Sequence, residues 1–99
     1  MAVSPIEIHP EALEEFKSAL MWYKERSEIA ARNFVAELDR ALQLVTESPE
    51  RWPSGEHGVR RFILRRVPFA VVYQITEMTI QVLAVAHGHR SPGYWKQRL

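Results

Sequence analysis

Residues 87 to 96, His-Gly-His-Arg-Ser-Pro-Gly-Tyr-Trp-Lys, gather two imidazoles, a guanidinium, a phenol and an ammonium into one short stretch. Such a set suits general acid-base work on a phosphodiester, in which His87 or Tyr94 moves a proton and Arg90 stabilises the charge that develops. A plainer structural reading stands beside it: His87 ends a strand, while Tyr94 and Trp95 pack the tail onto a sheet. Metal chemistry is not expected. His87 and His89 share one side of an extended chain, but there is no cysteine, and between Glu77 and Leu99 no carboxylate supplies a third ligand. No cofactor is expected either.

A second group is Arg60, Arg61, Arg65 and Arg66, two pairs set four residues apart. On a strand, Arg61 and Arg65 project from one face about two pleats apart, and each guanidinium fork can hold two phosphate oxygens. Exposed arginines also blunt a sheet edge against aggregation, so position alone does not separate the two roles. Charge distribution favours binding. Residues 1–50 carry a formal charge of −5 and residues 51–99 one of +6, so the overall +1 conceals an acidic half and a basic half. A target- or nucleic-acid-binding set of Arg60, Arg61, Arg65, Arg66, His89, Arg90 and Lys96 follows, with Arg65, His87, Arg90 and Tyr94 as the catalytic set if the protein is a nuclease. Glu11, Glu14, Glu15 and Glu25 read as the solvated face of a helix, and Met21 and Trp22 as a widening of the core.

The chain that must position these groups has 99 residues, 46% of them hydrophobic and 25% charged, which fits one globular domain over residues 1–99. Without cysteine, disulfides, thiolate zinc sites and thiol nucleophiles are excluded. Apolar runs are short, Val82 to Ala86 being typical, and far below the ~20 residues that span a bilayer. A cytoplasmic protein with no membrane partner is expected.

Val3 to His9 alternates and predicts a strand. Pro10 then opens a helix, with Leu13, Phe16, Leu20 and Tyr23 as its buried stripe, ending near Ser27. From Glu28 a second helix buries Ala31, Phe34, Leu38, Ala41, Leu42 and Val45, and the short connection makes a helical hairpin. Pro49 and Pro53 stop it, and Ser48 to Gly58 reads as a loop in which Trp52 lies as a lid on the core. Val59 to Val67, Phe69 to Thr76 and Thr79 to His87 read as three strands of an antiparallel meander. The tail, Gly88 to Leu99, is irregular, with a helical turn over Trp95 to Leu99. The expected fold is α+β in the order β-α-α-β-β-β, a helical hairpin packed on one face of a mainly antiparallel four-stranded sheet. The other face is expected to be open, carrying Arg61 and Arg65 and bordered by the tail.

Three stretches together resemble the RelE/ParE superfamily of toxins from bacterial type II toxin-antitoxin systems: Pro-Glu-Ala-Leu-Glu-Glu-Phe at 10–16, Arg-Arg-Phe-Ile-Leu-Arg-Arg-Val-Pro-Phe-Ala-Val-Val-Tyr-Gln-Ile at 60–75, and Val-Leu-Ala-Val-Ala-His-Gly-His-Arg-Ser-Pro-Gly-Tyr-Trp at 82–95. The resemblance implies a growth-inhibiting toxin that a cognate antitoxin wraps and neutralises. RelE-like members cut mRNA at the ribosome without a metal, using basic strand residues and an Arg and Tyr near the C-terminus. Arg61 and Arg65 match two such strand positions, and Arg90-x-x-x-Tyr94 is similar to the tail pair. Ile63 and Ala70, however, stand where further basic residues are expected, and Gly88 where another tail arginine is. ParE-like members lack that set and poison DNA gyrase. The resemblance therefore implies a ParE-like toxin acting on a target such as DNA gyrase. A ribosome-dependent mRNA endonuclease of the RelE type is the first alternative, and a non-toxic RNA-binding module the second.

Overall fold

A computed structural model describes residues 5–99. The first strand, β1, is short, Ile6–Ile8; Val3 and Ser4, read as its beginning, lie outside the described residues. Helix α1 runs from Pro10 to Arg26 and α2 from Glu28 to Glu47. His9 caps α1 by accepting the Glu11 N–H on Nδ1 (3.1 Å), and Pro10 occupies a first-turn position where no donor is needed. Ser27 joins the helices alone. Its N–H donates to Tyr23 C=O (2.8 Å), closing α1, and its Oγ accepts from Ala30 N–H (3.2 Å), opening α2. An extended backbone at this one residue turns the chain back on itself, so the hairpin needs no longer loop.

Strands β2 (Arg60–Ile63), β3 (Phe69–Thr76) and β4 (Thr79–His87) complete a four-stranded sheet of order β1-β4-β3-β2. The meander is antiparallel, and β1 joins it parallel to β4. Between β3 and β4 the turn residues Glu77 and Met78 both have positive φ, 47° and 65°. Those angles belong to the two-residue turn whose twist matches a hairpin. Among the described residues no helix is long and apolar enough to cross a membrane.

Packing follows the α2 stripe as read, with Phe34, Ala41 and Val45 fully buried. Phe34 is ringed by Phe16, Tyr23 and Phe69 at centroid distances of 5.8, 5.2 and 5.4 Å. Such offset and tilted aromatic contacts add to area burial. Trp52 lies on Phe62 at 4.8 Å, as a lid. The contact face of α1 is rotated from the expected one: Ala12 and Ala19 are buried, and Leu13 is exposed. Alanine lets α1 approach β4 closely, which the larger Leu13 at the centre would prevent.

Two further expectations are corrected. The strand read over Val59 to Val67 ends at Ile63: Leu64 N–H still reaches Phe69 C=O (3.0 Å), and residues 65–68 then turn the chain into β3, where the Glu37 carboxylate of α2 accepts the N–H groups of Arg65 (3.0 Å) and Arg66 (3.4 Å). Nor is the second sheet face open. Val59, Val72, Leu83, Ala84 and Ala86 are buried there under Tyr94 and Trp95, as the tail folds across in a 3₁₀ turn over Tyr94–Arg98. Gly93 starts that turn at φ 77°, where an added Cβ would lie 2.7 Å from Lys96 Cε.

Candidate functional site

One unpaired residue sets the site. Along β3–β4 the register passes from Val72↔Ala84 to Tyr73↔Val82, leaving Leu83 as a bulge. A bulge reverses which face the following side chains occupy. Ile80 and Val82 therefore face the helices, Leu83 and Ala84 both face the tail, and Val85 and His87 return to the helix side. Without Leu83 as the extra residue, His87 would point away from α1. With it, His87 helps line a cleft of about 760 Å³ between α1 and the tail, together with Glu11, Glu15, Trp22, Phe69, Arg90, Tyr94 and Arg98.

Glu15 holds the cleft's floor together. Its Oε1 accepts the Val85 N–H (3.0 Å) and its Oε2 the Tyr94 hydroxyl (2.7 Å). Arg98 lays its fork on the same carboxylate, Nη1 to Oε1 and Nη2 to Oε2 at 3.0 Å each, and Nη1 also donates to Leu83 C=O at 3.0 Å. The two side chains are only 16% and 8% exposed. Where β1 ends, this clasp satisfies the free edge of β4 with side chains instead of another strand. Tyr94 is pushed up to about 12 by burial, by its hydrogen bond to Glu15 and by that carboxylate's charge, against the opposing pull of Arg98 and Arg90. Arg98 is itself raised, chiefly by its hydrogen bonds to Glu15. At neutral pH the phenol keeps its proton, and the guanidinium is compensated. Both act as a fixed wall, and neither is poised to exchange protons.

The expected site residues separate into three groups. His87, Arg90 and Tyr94 do meet in the cleft: Arg90 stacks over the Tyr94 ring at 3.9 Å, and His87 stands edge-on to Phe69 at 5.0 Å and His89 at 4.9 Å. His87 Nδ1 accepts the His89 N–H (3.0 Å), which puts the proton of a neutral ring on Nε2. Arg61, Arg65 and Arg66 are exposed but lie outside the cleft, Arg65 in the bend after β2 and not on a pleat. Arg60 and Lys96 are engaged within the fold. Arg60 turns to the helix side and donates to the carbonyls of Glu50 (3.2 Å) and Trp52, while Lys96 pairs with Glu56 at 3.4 Å. Arg98 and Glu15 were not anticipated. A signal for Glu15 was present, since it falls three residues after Ala12 and four before Ala19, the two small residues that mark the line of closest approach.

The family model described as the ParE toxin of type II toxin-antitoxin systems, parDE, matches residues 6–92. No curated protein sequence matches the chain. Among solved structures it is similar to the chromosomal ParDE TA system from P. aeruginosa, at 18% identity over 86% of this chain and 96% of that one, with a TM-score of 0.74. It is also similar to a double mutant of the E. coli toxin RelE in the free state, at 19% identity over 99% of both chains with a TM-score of 0.67. A third similar structure is that RelE mutant in complex with a peptide of the antitoxin RelBc, at 16% identity over 99% of this chain and 96% of that one, TM-score 0.59. At these identities the likeness is one of fold. The match over residues 6–92 goes further: the chain belongs to the ParE toxin family, within the RelE/ParE superfamily.

Proposed function

We propose that this ParE-family chain arrests growth by binding its target and not by cutting it. DNA gyrase is the target, and a cognate antitoxin neutralises the toxin. The observation that carries this reading is the clasp: Tyr94, which a nuclease of the expected kind would need free, is held by the same Glu15 carboxylate that Arg98 grips. Docking falls to the exposed basic groups Arg61, Arg65, Arg66 and Arg90, with His89 beside them. Solvent-exposed arginines of this kind steer a charged partner and set its register. The antitoxin covers the helical hairpin and part of the basic side of the sheet; an antitoxin as partner is in keeping with the RelBc peptide in complex with the RelE mutant of similar fold.

One observation favours a RelE-like endonuclease instead, namely that His87 and Arg90 line the same cleft. Inducing the protein in cells and comparing gyrase-dependent DNA breaks with ribosome-dependent mRNA cleavage distinguishes the two. DNA breaks with intact mRNA are expected. Cleaved mRNA with unaffected gyrase would replace the binding mechanism with the nuclease one, and harmless overexpression without antitoxin would favour the RNA-binding module.

A further inference from the structure

The cleft between α1 and the tail holds one positive charge that no carboxylate among the described residues answers. Its own carboxylates are all met: Glu11 lies 3.7 Å from Arg98 Nε, Glu14 lies 3.5 Å from Lys17 Nζ, and Glu15 carries the Arg98 fork and the Tyr94 hydroxyl. Arg90, on the tail side, is exposed and in no salt bridge among the described residues. Its guanidinium lies over the Tyr94 ring at 3.9 Å, and Glu15 pins that ring through the hydroxyl at 2.7 Å. Stacking uses the flat face of a guanidinium and leaves its in-plane N–H groups to bond. His87 adds the Nε2–H of its neutral ring, since Nδ1 accepts from His89 N–H.

Much of the remaining wall is aromatic, with Trp22, Tyr23 and Phe69 contributing rings. Trp22 is 51% exposed, yet Arg26 fixes it, stacked over the ring at 3.7 Å with Nη1 donating to Trp22 C=O at 2.8 Å. Phe69 is held by Phe34 at 5.4 Å and His87 at 5.0 Å. A cleft of about 760 Å³ has the size of a small-molecule site, and rings already held lose little freedom on binding. We propose that it binds a small aromatic monocarboxylate, with the ring against Trp22 and Phe69 and the carboxylate on Arg90 and His87. Charge and polarity select this class. One uncompensated guanidinium balances one carboxylate, whereas a phosphate monoester brings about −1.5 to −2 at neutral pH. A nucleobase would carry several donors and acceptors to a wall whose hydroxyls are those of Ser18, Tyr23 and Tyr94, the last already bonded to Glu15, and most would go unpaired.

The test titrates the whole protein with cinnamate and follows backbone amides and the Trp22 indole N–H by NMR. Shifts are expected at Ser18, Trp22, Phe69 and Val85, which line the cleft, while Arg61 and Ile63 on β2 stay unmoved. Cinnamyl alcohol, the neutral counterpart, should bind about tenfold or more weakly, because it cannot make the charge-assisted bonds to Arg90. Arg90→Gln should weaken cinnamate by a similar factor and leave the alcohol unaffected, and Trp22→Ala should weaken both ligands about tenfold. If Trp22→Ala fails to fold, the comparison of acid and alcohol on the unaltered protein decides. Absence of cinnamate binding, equal binding of the alcohol, unchanged cinnamate affinity in Arg90→Gln, or shifts confined to β2 would overturn the proposal. So would adenosine monophosphate binding in the cleft more tightly than cinnamate, which would make it a nucleotide site. Because the readout is a ligand in the cleft and not growth arrest, failure of the gyrase reading would leave this outcome intact.

Discussion

Replacing Arg98 by alanine should destabilise the fold strongly for a residue next to the last in the chain. The guanidinium makes two 3.0 Å bonds to Glu15 and one to Leu83 C=O, with Glu11 at 3.7 Å. Its loss leaves the Glu15 carboxylate with only Val85 N–H and the Tyr94 hydroxyl, and leaves the Leu83 carbonyl unpaired. Removing one partner of a buried ion pair costs ~3–5 kcal/mol, and two remaining donors plus some solvent access bring the figure here to ~2–3 kcal/mol. For a domain of this size that corresponds to a drop of roughly 10–20 °C in melting temperature. Urea and thermal unfolding followed by circular dichroism measure it. A double-mutant cycle with Glu15→Gln should return a coupling of about 1–3 kcal/mol, because either single change strands the other charge. An Arg98→Ala variant within about 0.5 kcal/mol of the parent, the range of exposed pairs, would refute the clasp as a structural element.

Alkaline pH should weaken the fold through Tyr94. Its folded pKa of about 12 exceeds the ordinary value of 10.0, so the stabilisation is fully present below about pH 10 and is lost as pH rises through 12; Tyr94→Phe should flatten the urea midpoint over that window, and an unchanged slope would sink the assignment. In the β3–β4 turn, Glu77→Asn with Met78→Gly should raise stability by roughly 0.5–1 kcal/mol, because both positions hold positive φ without a residue suited to it. Equal or lower melting temperature would contradict that turn geometry. Arg61→Glu with Arg65→Glu should leave stability within about 0.5 kcal/mol, since both side chains are exposed, yet weaken growth arrest and antitoxin affinity. Unchanged toxicity and unchanged antitoxin binding would remove the basic side of the sheet from both interfaces.

What the sequence discloses and what it hides divide along the range of the interactions. The two helices and strands β3 and β4 follow from periodicity within a few residues, and they occur where the pattern puts them. Site geometry depends on longer links. Glu15 and Arg98 are 83 positions apart, and nothing local distinguishes Glu15 from Glu11 or Glu14 except its place between Ala12 and Ala19. Arg60 and Arg61 are adjacent arginines with opposite fates, because one faces loop carbonyls that exist only after Trp52 has closed on Phe62. Leu83 looks like any other apolar residue in a strand of apolar residues, yet as the unpaired one it carries His87 to the helix side. These three features act in one direction. The bulge brings the tail and α1 to the same edge, the clasp then closes that edge with charge, and the Tyr94 phenol, read as catalytic chemistry, becomes with Arg98 a means of closure. Arg61, Arg65, Arg66 and Arg90 stay exposed and in no salt bridge among the described residues, and the proposed recognition of a partner rests on them.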